Sequence, residues 1–276
     1  MTKIPFFTQV ARYHFVVATA AALLAAETYV LGNQAIDYPL LLAIFAATLG
    51  AYSFADLELC VTSYKEKKQV NIRGSKTSLF IAGTSILCFS LSTIFINSHI
   101  LSLIFWITIG SLLYINPVRF NCQRLHGLRN LLFVKSLLLA LIWTVTTVWM
   151  PLLEINESLF GTSQLLLFAR RFIFIFSLAV LYDLRDVEID KITNVRTFAS
   201  TFGVRAAKLL SYATLGLFLA VSYTDPTLQT TTALSLSALI AMVVVFQTNT
   251  TRSDAYYRVV VDGMMIVQFL LIVLIH

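Results

Sequence analysis

Tyr182-Asp183-Leu184-Arg185-Asp186-Val187-Glu188-Ile189-Asp190 is a short polar passage at the end of one long apolar run and ahead of another. Asp183, Asp186 and Asp190 stand at i, i+3 and i+7. On a helix advancing about 100° per residue, these three side chains fall within about 60° of one another, while Arg185, Glu188 and Lys191 project elsewhere. The pattern is an acidic stripe with no base on its own face. Like charges at that spacing repel by a few tenths of a kcal/mol per pair in water, and by more where a membrane lowers the dielectric constant. Something positive is therefore expected on the stripe. A hard divalent cation, Mg²⁺ above all, is held in this way by a few carboxylates together with the oxygens of a substrate phosphate. The plain alternative is a solvated loop whose acids happen to cluster.

The surrounding chain sets the class. Of 276 residues, 58% are hydrophobic and 12% charged, and the mean hydropathy is +0.81. These values exclude a soluble domain and indicate an all-α integral membrane protein. Short polar stretches separate apolar segments of roughly 16 to 22 residues, the length that crosses ~30 Å of hydrocarbon as helix. The segments cover about residues 12–31, 39–56, 79–97, 100–115, 131–150, 164–182, 206–223, 231–248 and 258–275. The expectation is about nine transmembrane helices in a single domain, 1–276.

Met1 to Arg12 is mixed and basic and the first apolar run is long enough to span, so no cleavable signal peptide is expected. Cys60, Cys88 and Cys122 suggest no disulfide framework. With nine crossings, eighteen of the 20 Lys and Arg fall on one side, and only Arg170 and Arg171 on the other. The positive-inside rule then places the N-terminus in the cytosol and His276 outside, in a multi-pass protein of the plasma membrane or, in a bacterium, the inner membrane. That topology accounts for the net charge of +6 without nucleic acid.

In chain order, the first helix is rich in alanine (Ala18, Ala20, Ala21, Ala22, Ala25, Ala26), which suits close packing. Glu27 at its outer end reads as a residue that caps an interface or snorkels. The second helix runs into the largest polar insertion, with Lys65, Lys67, Lys68, Asn71, Arg73 and Lys76. Most of these bases follow from topology alone, but they also suit an anionic phosphate at the membrane surface, with Arg73 the candidate for direct contact. Helices three and four form a hairpin around Asn97-Ser98-His99, where His99 is interfacial. Pro117 ends the fourth helix and leaves Tyr114, Arg119 and Arg124 at the cytosolic face. His126 lacks the spacing of a zinc site. Lys135 lies in the opening turns of the fifth helix, where an ionisable group either meets an anion or snorkels. Arg170 and Arg171 either mark the outer boundary of helix six or put one guanidinium inside the bundle opposite a carboxylate. After the stripe, Asn194 to Gly203 is a polar loop ending in a glycine able to turn the chain. The last three helices read as scaffold, with Asp262 paired locally to Arg258 one turn earlier.

Nine spans with acid-bearing loops after helices two and six resemble the UbiA superfamily of intramembrane prenyltransferases. Asp183-Leu-Arg185-Asp186-Val-Glu-Ile-Asp190, followed by Arg196-Thr197 and Gly203, is similar to the family's second aspartate motif, D-x-x-D-x-x-x-D with a basic-Thr pair and a glycine. Tyr114 to Arg119 resembles the Tyr-to-basic motif after helix four, with one base where two are common. The family's first motif, N-D-x-x-D-x-x-x-D, falls on Tyr52, Ser53, Asp56 and Cys60, so of its three aspartates only Asp56 remains. Glu58 is off the pattern, and Asn71 and Arg73 fall where an Arg-Pro is common, with Gly74 in place of the proline.

The resemblance implies a bundle around a central cavity, with Mg²⁺ held by Asp183, Asp186, Asp190 and Asp56 as catalytic groups. It implies a polyprenyl diphosphate donor whose diphosphate meets Arg73, Tyr114, Arg119, Lys135 and Arg196, and an apolar tunnel for the prenyl tail. The implied activity is ionisation of the allylic C–O bond and transfer of the prenyl group, within the membrane, to a lipophilic, aromatic acceptor. The eroded first motif leaves three readings: prenyl transfer on the remaining ligands, terpene cyclisation of a prenyl diphosphate, or binding of a prenyl lipid without catalysis. A secondary transporter is disfavoured, because no inverted repeat or broken helix pair is apparent.

Overall fold

A computed structural model describes residues 14–65, 72–115, 119–120, 123–124, 134–192 and 196–275, without the side chains of 56–65, 72–75, 109–115, 119–120, 123–124, 189 and 192. The helices are α1 (Phe15–Leu31), α2 (Tyr38–Lys65), α3 (Ile72–Ser92), α4 (Ser98–Ile115), α5 (Val134–Glu154), α6 (Thr162–Ile192), α7 (Phe198–Phe202), α8 (Val204–Ser222), α9 (Leu228–Gln247) and α10 (Asp254–Ile275). A two-residue antiparallel pair, β1 (Arg119–Phe120) with β2 (Gln123–Arg124), follows α4. In hydrocarbon every backbone N–H and C=O needs a partner within the segment, so apolar runs of this length become helices. Among the described residues, seven helices are long and apolar enough to cross a membrane, and α1 and the start of α4 are shorter apolar helices.

Two helices run further than the apolar pattern suggests. α2 has 28 residues and α6 has 31, about 42 and 46 Å at 1.5 Å per residue, against ~30 Å of hydrocarbon. Their C-terminal turns therefore rise beyond the apolar layer. Asp56 sits in the overhang of α2, and the acidic stripe occupies the last three turns of α6.

Local sequence sets the ends. Asp37 caps α2, its Oδ1 accepting from the Leu40 N–H at 2.7 Å. Thr197 and Ser200 form a capping box at α7. Gly203, at φ +88°, turns the chain from α7 into α8, a conformation that costs L-residues with a side chain. α4 ends at Ile115, ahead of Pro117.

α5 carries a π-helical turn, Val145–Trp149, just before Pro151. Proline offers no N–H to the preceding turn. The Thr147 carbonyl accepts instead from the Thr28 hydroxyl of α1 at 2.7 Å, the kind of cross-helix repair that lets a proline sit at membrane depth.

The alanines of α1 are buried, as expected for close packing, and α1 lies against α2, α5 and α10. α6 packs on α5 and α8, with Phe174 against Phe218, ring centroids 5.2 Å apart. The polar residues at the ends of the helices away from the stripe find partners inside the bundle, and Arg171 takes the interior place opposite a carboxylate that was one of its two expected positions. Glu27 is buried and does not snorkel; of its two expected roles it takes the one at an interface between helices. It pairs with Arg171 of α6 at 3.0 Å and accepts from Gln268 of α10 at 3.0 Å. Arg171 also donates to the Leu24 carbonyl at 2.6 Å. Arg170 meets Asp225, in the α8–α9 turn, at 2.6 Å. Asp262 is buried near Tyr182 of α6, and Arg258 pairs with Asp254 at 3.5 Å. A polar group in a low-dielectric bundle takes the partner that its helix face presents, and sequence proximity does not decide it.

Candidate active site

The positive group on the acidic stripe comes from a different helix. Lys135, in the first turn of α5, places Nζ 3.0 Å from Asp190 Oδ2, 3.1 Å from Asp186 Oδ2 and 3.6 Å from Asp183 Oδ1. The i, i+3, i+7 spacing therefore does align three carboxylates on one face, and α5 packs along that face. The neighbouring Ser136 donates from Oγ to Asp183 Oδ2 at 2.7 Å, fixing that carboxyl. Asp183 and Asp190 are buried, Asp186 is half-buried, and 13% of the Lys135 side chain is exposed.

Arg185 does not project away from the stripe. Its Nε donates to Asp186 Oδ1 at 2.7 Å, and its guanidinium lies 4.8 Å from the Tyr182 ring centroid. The Tyr182 hydroxyl donates to the Tyr257 carbonyl at 3.0 Å, tying α6 to α10. Glu188 and Lys191, by contrast, form an exposed i, i+3 pair at 3.3 Å, with little energetic weight.

One turn further along α5, Leu138, Leu139 and Trp143 line a cavity of about 570 Å³ between α1, α2, α3, α4 and α5. Tyr52 and Ala55 line it on α2, Phe89 on α3. Its walls are almost wholly apolar. Residues three and four apart share a helix face, so Lys135 lies one helical turn before the cavity-lining Leu138 and Leu139. Tyr52, at a first-motif position, lies beside His14 with ring centroids 5.3 Å apart, and Ser53 is buried. Phe54 and Ile86, which also line the cavity, are exposed on the lipid-facing surface of the bundle.

The remaining expected site residues are placed by backbone alone. Asp56 is on α2, Arg73 on α3, Tyr114 on α4 and Arg119 in β1, and their side chains lie outside what is described, as do Asn71 and His126 altogether. Arg196 is exposed just before α7. The structure thus brings together Asp183, Asp186, Asp190 and Lys135. Ser136 and Arg185 join them without having been singled out as site groups. The signal for Ser136 was its position beside Lys135 in an otherwise apolar turn.

The donor set suits an oxygen-preferring divalent cation: hard carboxylates converge on one point, and the buried Asp183 Oδ1 has no hydrogen-bond donor. That point is filled by the Lys135 ammonium. Among the described residues, no group of three or more Asp, Glu, His or Cys side chains stands arranged for a metal as it is.

Fold and site together define a multi-pass helical membrane protein with an acidic, lysine-closed centre one helical turn along α5 from an apolar cavity. Comparison with solved structures finds the same fold in the apo structure of a UbiA homolog from Aeropyrum pernix K1, at a TM-score of 0.57 and 15% identity, covering 95% of this chain and 97% of the other. No family model matches the sequence, and no curated protein matches it. The chain has the UbiA fold.

Proposed function

We propose that the protein is a UbiA-type prenyltransferase that moves a prenyl group from a polyprenyl diphosphate to a lipophilic, aromatic acceptor inside the membrane. The observation that carries the reading is the nearness of the two halves of the site along α5: Lys135 closes three aspartates, and one helical turn on Leu138 and Leu139 line an apolar cavity. An amphiphile with an anionic head and an isoprenoid tail matches that division. The tail lies along Leu139, Trp143 and Tyr52, which exclude water from the allylic carbon. The diphosphate lies at the cytosolic mouth, where Lys135 is within reach, and Arg73, Tyr114, Arg119 and Arg196 are its further candidates. Ser136 and Arg185 hold Asp183 and Asp186 in orientation. Asp183, Asp186, Asp190 and Asp56 are the groups to hold Mg²⁺, which when bound supplies charge for the departing diphosphate.

A second reading, binding of a prenyl lipid without turnover, is favoured by one observation: the stripe already has its counter-ion. The test follows diphosphate release from geranyl, farnesyl and geranylgeranyl diphosphates by purified protein, with and without Mg²⁺ and with aromatic acceptors added. Mg²⁺-dependent release that falls to background in Asp183→Asn and Asp186→Asn, both still folded, supports transfer. Full activity in either variant removes the stripe from the site. Tight binding of the donors with no release selects the second reading.

A further inference from the structure

The point on which Asp183, Asp186 and Asp190 converge is held by the chain's own ammonium group. Magnesium sits about 2.0–2.1 Å from its oxygen ligands, and Nζ lies 3.0 to 3.6 Å from the same carboxylates. Two cations cannot share so small a space. The Asp183 carboxyl is split in its duties: Oδ2 is fixed by Ser136, whereas the buried Oδ1 has no donor and faces the ammonium at 3.6 Å. Lysine carries its charge on a flexible four-carbon stem and forms point contacts, so Nζ can leave without disturbing α5. Its stem lies on the face that continues into Leu138 and Leu139, so the position open to it on leaving is the cavity mouth.

We propose that Lys135 is the exchangeable resident cation of this site. It closes the stripe when no divalent metal is bound, and a metal enters only by displacing its ammonium, which then stands at the cavity mouth as a ligand for diphosphate. This rests on reading the stripe as a metal site. Charge explains the use of the exchange. The three aspartates with Lys135 and Arg185 carry one negative charge in excess, which repels an anionic head group. With a divalent cation added and the ammonium kept nearby, the same set carries one positive charge in excess. Metal and diphosphate therefore bind cooperatively: the diphosphate gives the displaced ammonium a new partner, and the metal frees it to take that partner.

The test uses Mn²⁺ as the metal, its binding to the full-length protein in detergent read by electron paramagnetic resonance. Lys135→Met keeps the stem and removes the charge. It should bind Mn²⁺ at least about tenfold more tightly than wild type, because no ion pair need be broken. Equal affinity in the two proteins overturns the proposal, and so does a folded Lys135→Met that binds no Mn²⁺. If that variant does not fold, the wild type still decides the matter through reductive methylation of Lys135, quantified by peptide mass spectrometry. Reactivity should be low without metal and rise severalfold on titration with Mn²⁺, whereas unchanged reactivity overturns the exchange. Neither readout needs turnover, so failure of the prenyl-donor assay with success here would sink prenyl transfer and leave the exchange standing.

Discussion

Arg171→Met removes the cation of a buried ion pair and keeps an apolar stem of similar length. In the wild type the Arg171 side chain is 1% exposed and lies 3.0 Å from Glu27, itself 1% exposed. After the change Glu27 keeps only the Gln268 amide at 3.0 Å. Leaving one partner of a buried pair uncompensated costs about 3–5 kcal/mol. A loss of that size lowers the melting temperature by on the order of 10 °C for a chain of this length. Thermal unfolding in detergent, followed by tryptophan fluorescence, reads it directly, with Trp143 and Trp149 on α5 inside the same bundle. Glu27→Gln combined with Arg171→Met removes the stranded charge and leaves two amides able to bond each other. The double variant should therefore recover roughly 3 kcal/mol relative to Arg171→Met alone, a strong coupling in a double-mutant cycle. A single variant melting within a degree or two of wild type, or a double variant no better than the single, would refute the claim that this pair ties α1 and α6 together.

Thr28→Val strands the Thr147 carbonyl beside Pro151 and should cost about 1–3 kcal/mol in the same unfolding assay, with Thr28→Ser close to wild type. In the α8–α9 turn, burial pushes the Asp225 carboxyl up, but hydrogen bonds from Thr227 and Arg170 outweigh it and hold the group below the usual carboxylate range. A depressed carboxyl stabilises the fold at pH values above its unfolded range and loses that contribution as the pH falls through its folded value. Asp225→Asn should therefore be less stable than wild type at neutral pH and converge with it in acid, as seen in melting temperatures across the pH range.

Much of the fold was legible because membrane helices announce themselves by local composition. The bounds expected for helices one, four, eight and nine fall within a few residues of α1, α4, α9 and the C-terminal part of α10. The overhangs of α2 and α6 were not legible, since a helix continues into water wherever its residues permit, and hydropathy says only where hydrocarbon ends. The stripe could be read because Asp183, Asp186 and Asp190 belong to one helix and helix geometry fixes their faces. Its partner could not be read: Lys135 lies about fifty residues earlier, and whether it meets an anion or snorkels depends on how α5 is rotated against α6. The same limit applies to Arg171. Its position opposite Glu27 follows from the packing of α1 on α6 and leaves no trace in sequence spacing.

The most direct test of the joined site is a structure determined with a non-hydrolysable thio-analogue of geranylgeranyl diphosphate and Mg²⁺. The isoprenoid chain is predicted to lie in the cavity along Tyr52, Leu139 and Trp143, with the diphosphate beside Lys135 and the Asp183–Asp190 turn of α6. A bound analogue whose diphosphate lies away from α6, or whose chain occupies another part of the bundle, would contradict the account.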